Sequence, residues 1–254
     1  GGSGGGGGGN RGGSLSGTVT SNTQTGTAMG NFDVSSPETT NSNGGVVTAV
    51  PETLIPQPDV DYFTQGTGKI GGFSDISNVV WAQKAIVAMS AVGIINGKSE
   101  TQFCPDDNIT RAEFVKLLIG MLKYAGKIDI GGAECSFNDV AADAWYYEAV
   151  AAAVSNGIVT GMSETEFAPD ANITRQDMAV MLSRAVKAAK LATADGAELI
   201  FNDEAEIAGY AADAVNQMTK AGIINGFEDG CFLPEANATR AQAAVMLYRL
   251  AGGE

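Results

Sequence analysis

Three arginines, Arg111, Arg175 and Arg240, recur 64 and then 65 residues apart, each directly after a threonine. A guanidinium is planar and presents two parallel donors, the geometry that suits a carboxylate. Thr110 with Glu113 forms Thr-x-x-Glu, a helix-start signature, and a helix start favours negative charge through its free N–H groups and macrodipole. The chemistry this predicts is anion recognition; the competing role is an arginine on a solvated helix start or paired with a nearby acid. Three further sets share the period. The carboxylates of Asp75, Asp139 and Asp203 can accept from sugar hydroxyls or cap helices. The rings of Trp81, Trp145 and Tyr210 can stack on sugar C–H faces or pack into a core. Gly97, Gly161 and Gly226 let another group approach the backbone closely, either a sugar or a packed loop.

Other chemistries lack their residues. The chain has no histidine to serve as base or metal ligand, and its three cysteines, Cys104, Cys135 and Cys231, show no metal-ligand spacing and are odd in number for a disulfide framework. Asp106-Asp107-Asn108 lacks the glycine and glutamate of a calcium loop. The formal sequons at Asn108, Asn172 and Asn237 place their threonines where a helix cap is expected. No metal, cofactor or catalytic group is expected, and the polar residues that do recur suit multivalent binding better than turnover. The net charge is −14, with no basic stripe, which excludes nucleic acid and disfavours anionic lipid. No apolar run of about 18 residues is present, so membrane insertion is not expected.

The elements that position these residues come from an internal repeat. Segments beginning at Phe73, Phe137 and Phe201 align, with one residue inserted before Tyr210. Each copy has a first helix, near 81–91, 145–155 and 210–221, with Trp81, Ala85, Ile86 and Met89 spaced as a core-facing stripe. Gly93, Gly157 and Gly222 close those helices in the left-handed region that glycine adopts without strain. A short apolar step, a second glycine and a loop ending in Phe-x-Pro follow, with Phe103, Phe167 and Phe232 as plugs under the loop. The second helices start at Thr110, Thr174 and Thr239. Two amphipathic helices cannot bury their faces alone, so the units must pack together, either stacked as a solenoid or closed around a threefold axis.

The order F-x-D, aromatic-A-x-x-A (with Tyr146 for the first Ala in the second copy), G-I-[IV]-x-G, F-x-P and [IA]-T-R, present in three registers, resembles the S-layer homology repeat of bacterial surface proteins. The resemblance implies an all-α fold in which three repeats (73–136, 137–200 and 201–254) close into a pseudo-threefold, three-pronged bundle with grooves between repeats. It implies non-covalent anchoring to the bacterial cell wall or S-layer, outside the cell, through secondary cell-wall polysaccharide linked to peptidoglycan. That glycan is anionic and often pyruvylated. The arginines, aspartates, aromatics and glycines named above are the implied ligand-binding residues. The third copy departs most, with Tyr210 for tryptophan, Gln242 and the insertion, while it alone has the Asp229-Gly230 turn.

Residues 1–72 are rich in Gly, Ser, Thr and Asn and hold five acids and two bases, leaving 24 and 13 for the rest. So little apolar surface predicts a flexible, dispensable linker. The absence of an initiating Met or signal segment suggests a piece of a longer precursor, with cargo upstream of the linker. The alternative function is a helical protein-interaction scaffold at the cell surface; a glycan hydrolase is a weaker third.

Overall fold

Each second helix is started by its threonine. The hydroxyls of Thr110, Thr174 and Thr239 accept from the N–H of Glu113, Asp177 and Gln242, and the Glu113 and Gln242 side chains close the reciprocal half of a capping box. In the computed structural model six α-helices follow: α1 (Val80–Ala91), α2 (Arg111–Tyr124), α3 (Tyr147–Ser155), α4 (Arg175–Ala188), α5 (Ala212–Lys220) and α6 (Arg240–Leu250). The inserted residue of the third copy falls in the stretch that holds a 3-10 turn, Glu204–Glu206. Gly93, Gly157 and Gly222 have φ of +71°, +69° and +70°, as expected for residues that end a helix. The structure describes Gly1, 53–55 and 71–253. All but Gly1 belong to the unit Thr48–Glu254.

Helices pair across repeats. α2 packs on α3, α4 on α5, and α6 returns to α1. The second helix of each repeat therefore pairs with the first helix of the next, and the last pair joins the two ends of the array. A solenoid would leave α1 and α6 apart, so the bundle is closed. At its centre the chain forms a ring of backbone hydrogen bonds: Ile109 N–H to Ala238 O (3.0 Å), Ala238 N–H to Ile173 O (2.9 Å) and Ile173 N–H to Ile109 O (3.1 Å). Ile109, Ile173 and Ala238 are fully buried there. Isolated bridges, Asn108 with Thr239, Thr110 with Asn172 and Thr174 with Asn237, flank the ring. One apolar cluster runs through all three repeats.

The first helices differ from expectation at their starts. Trp145 and Tyr210 lie two residues before α3 and α5, and Trp81, though inside α1, is not part of the buried stripe of Ala82, Ala85, Ile86 and Met89. The expected linker has one described piece beside the bundle, residues 53–55. Residues 2–52 and 56–70 lie outside the described residues, but Ile55 is 2% exposed within the core and Leu54 N–H donates to Ala251 O at 2.7 Å. This short piece of a polar stretch docks at the C-terminal end of α6. Ile55→Ala is expected to cost about 2–4 kcal/mol, the usual range for emptying a buried isoleucine site. Chemical denaturation of the full chain measures it, and removing residues 1–70 should lower the melting temperature as well.

Candidate functional site

The Phe-x-Pro loops are shaped by the aspartates. Asp75 accepts from the N–H of Phe103 and Cys104 at 2.9 and 2.8 Å, Asp139 from Phe167 and Ala168 at 2.9 and 2.7 Å, and Asp203 from Phe232 and Leu233 at 2.8 and 2.7 Å. The second residue of each pair is left-handed, with φ of +57°, +58° and +57°, although none is glycine. That conformation costs on the order of 1–2 kcal/mol for a residue with a Cβ, and two charge-assisted hydrogen bonds offset it. No aspartate side chain caps a helix; Asp203 stands at the N-cap of the 3-10 turn Glu204–Glu206 but its carboxylate makes no cap bond there. Under each loop the plug expected from sequence is present: Phe103, Phe167 and Phe232 are fully buried against Phe73, Phe137 and Phe201 at centroid distances of 5.6, 5.9 and 5.4 Å. The repeated glycines make room for that pairing. A Cβ on Gly97, Gly161 or Gly226 would lie 2.6, 2.5 or 2.7 Å from Cε1 of Phe73, Phe137 or Phe201.

The arginines are neither solvated nor free at a vacant helix start. Arg111, Arg175 and Arg240 are 4%, 3% and 6% exposed. Their backbone N–H groups donate to Ala171, Ala236 and Asp107, and those of the following residues to Pro169, Pro234 and Pro105. The helix starts are thus already satisfied, by the loop of the next repeat. Each side chain reaches into the same loop: Nε donates to Phe167 O (2.9 Å), Phe232 O (2.7 Å) and Phe103 O (3.0 Å), with the guanidinium over the corresponding ring at 5.1, 4.9 and 4.8 Å. Burial lowers all three guanidinium pKa values, that of Arg175 to about 10, and neighbouring acids work against the shift.

What remains exposed is aromatic. Trp81, Trp145 and Tyr210 are 58%, 57% and 63% exposed, which sets aside core packing as their role. Trp145 borders a groove of about 710 Å³ between α2 and α3, whose lining includes Gly97, Lys98, Glu113, Lys116, Glu148 and Arg240. Tyr210 borders its counterpart of about 380 Å³ beside α4, with Arg111, Thr160, Gly161, Asp177 and Arg184. Each groove draws on all three repeats. The aspartates Asp75, Asp139 and Asp203 line neither. Trp81 is on α1, the helix that packs on α6.

In the smaller groove the Tyr210 hydroxyl donates to Asp177 at 2.7 Å, and Asp177 faces Arg111 Nη1 at 3.6 Å. Partial burial, and then this bond to a carboxylate, push the Tyr210 phenol up to about 12. Lys98, Lys116, Lys123 and Arg184 were not singled out from sequence. Lys116 aligns with Val180 and Val245, so a search for residues that recur passes over it.

The family described as S-layer homology domain matches at 72–115, 136–179 and 200–244, more than half of the chain. This chain belongs to the S-layer homology family. Curated relatives include an amylopullulanase of Thermoanaerobacterium thermosulfurigenes, 33% identical over 70% of this chain and 9% of that protein. The Surface-layer 125 kDa protein of Lysinibacillus sphaericus is 33% identical over 71% and 15%, and a cellulosome-anchoring protein of Acetivibrio thermocellus is 29% identical over 52% and 29%. The chain thus spans a small part of these relatives, and their enzyme names attach to proteins matched only in the S-layer homology region. Among the described residues no helix is long and apolar enough to cross a membrane.

Two outcomes follow for the S-layer homology fold. Arg240→Ala is expected to lower stability by about 2–4 kcal/mol, because it removes two charged hydrogen bonds, to Phe103 O and Asn96 O, and a cation–π contact that join repeat three to repeat one. Thr239 capping alone does not replace that link, and denaturant unfolding reads the loss. The second outcome concerns acid. Burial pushes the Asp203 carboxyl up, but the N–H groups of Phe232 and Leu233 and the Arg175 charge outweigh it and hold it below its usual value. A carboxylate with a depressed folded pKa stabilises above its unfolded pKa, near 4, and that stability fades as pH falls through the folded value. Asp203→Asn should therefore melt lower than the native chain at pH 7, with the gap closing towards pH 2–3.

Proposed function

We propose that this S-layer homology chain binds an acidic polysaccharide of the bacterial cell wall and so anchors non-covalently, at the cell surface, whatever it is joined to. The observation that carries this reading is the pairing, in the two described grooves, of an exposed aromatic ring on the wall with a buried arginine: Trp145 with Arg240 and Tyr210 with Arg111. A ring face suits the C–H surface of a sugar, and a guanidinium suits an acidic substituent such as a pyruvate ketal. Trp81, Trp145 and Tyr210 would stack; Arg111, Arg175 and Arg240 would meet the acid. Asp75, Asp139 and Asp203, with Gly97, Gly161 and Gly226, would serve by holding the loops that shape the grooves. The names of relatives drawn from surface layers and cellulosome anchoring support the same role, and three linked grooves would add avidity. No step of bond making or breaking enters this function.

Co-sedimentation with purified cell-wall sacculi tests it. The full chain should pellet with sacculi that retain their polysaccharide and stay in solution once that polymer is stripped. Trp145→Ala, which removes an exposed side chain, should weaken binding roughly 5- to 100-fold, the effect of about 1–3 kcal/mol, without changing the melting temperature. Equal binding to stripped sacculi would instead point to a protein or peptidoglycan partner.

A further inference from the structure

A further cavity, of about 570 Å³, shares no lining residue with the two described grooves. It lies where α4 and α6 end, and its cations come one from each repeat: Lys127, three residues past α2, Lys190, two past α4, and Arg249, in the last turn of α6. Among the described residues no Asp or Glu lines it, in a protein of net charge −14. Lys127 aligns with Leu191 and Lys190 with Gly126, so neither lysine belongs to the repeat pattern. Closure of the bundle is what gathers them.

A cation near a helix C-terminus also offsets the negative pole of the helix. Lys123 and Lys187 already stand in the last turns of α2 and α4, so that role does not call for lysines beyond the helix ends. The backbone at Lys190 points the same way. After the C-caps Ala125, Ala189 and Ala251 come Gly126, Lys190 and Gly252, with φ of +63°, +51° and +82°. Glycine takes that conformation freely and a residue with a Cβ is strained there, yet here the chain keeps a lysine. Arg249 is half-buried, and its Nη1 makes one long bond, to Ile223 O at 3.5 Å. Among the described residues no carboxylate lies within salt-bridge distance of it, and burial alone lowers its pKa.

We propose that this cavity binds a phosphate ester, held between Arg249 and Lys190 with Lys127 as the third cation. A phosphate monoester carries nearly two charges and three free oxygens, which match a guanidinium fork and two ammonium groups; a carboxylate, with one charge and two oxygens, leaves cations unmatched. The site is separate from the grooves and does not depend on the anchoring reading above.

Calorimetry of the full chain with glycerol phosphate tests it, with acetate at the same ionic strength as the comparison anion. Glycerol phosphate should bind at least roughly tenfold more tightly than acetate, since a second charge-assisted contact is gained. Lys190→Gly, which installs the residue found at the other two helix ends, should weaken phosphate binding roughly tenfold without lowering the melting temperature. Lys190→Gln, which keeps the Cβ and removes the charge, should lose as much, and Lys190→Arg should retain the affinity. Trp145→Ala should leave it unchanged. Absence of phosphate binding by the native chain overturns the proposal, as does equal affinity for acetate or undiminished affinity in Lys190→Gln. A poly(glycerol phosphate) that binds more tightly per phosphate than the monomer identifies a polymer as the source, and equal affinity identifies a soluble ester; either result sustains the site.

Discussion

Every second helix in this protein begins on a foundation supplied by another repeat. The first two N–H groups of α2, α4 and α6 donate to carbonyls in the Phe-x-Pro loop of the next repeat, and the arginine side chain adds a third bond to the same loop. Unsatisfied donors at a helix start need partners, and here the local contribution is the threonine cap, with Glu113 and Gln242 completing a capping box in α2 and α6. Satisfying them between repeats makes a cycle, because the third repeat must find its loop in the first. The central ring of Ile109, Ile173 and Ala238 is the same cycle drawn in backbone bonds. Closure is thus a condition for satisfying each helix start.

That constraint explains where the grooves are and why they hold residues from three repeats. Handing α2 to α3 and α4 to α5 leaves a cleft where each second helix meets its foreign partner. The arginine that ties repeat to repeat is left at the floor of the cleft, 3–6% exposed, with its Nε committed to a carbonyl. A guanidinium has five donors, so holding the fold and facing a ligand are compatible in one side chain. The aspartates sit one step further back, holding two consecutive N–H groups at a left-handed residue and so fixing the loop that carries the arginine's acceptor.

Periodicity read from the chain located the six helices, the phenylalanine plugs, the helix-closing glycines and the threonine caps, because these depend on contacts within a few turns of the sequence and on backbone sterics at single positions. Composition excluded histidine chemistry and a basic nucleic-acid surface for the same reason: they need residues the chain lacks. Tertiary structure alone decided which helix pairs with which, since a repeat pattern is identical for a stack and a ring. It placed Arg111, Arg175 and Arg240 inside an inter-repeat joint and turned Trp81, Trp145 and Tyr210 outward, because burial depends on the neighbour across the cleft, which spacing along the chain does not encode. It drew Leu54 and Ile55 out of a polar stretch into the core, where two apolar residues suffice once a complementary site exists. It also set the Lys116 ammonium over the Trp145 ring, a contact between different repeats made by a lysine that its own repeats replace with valine.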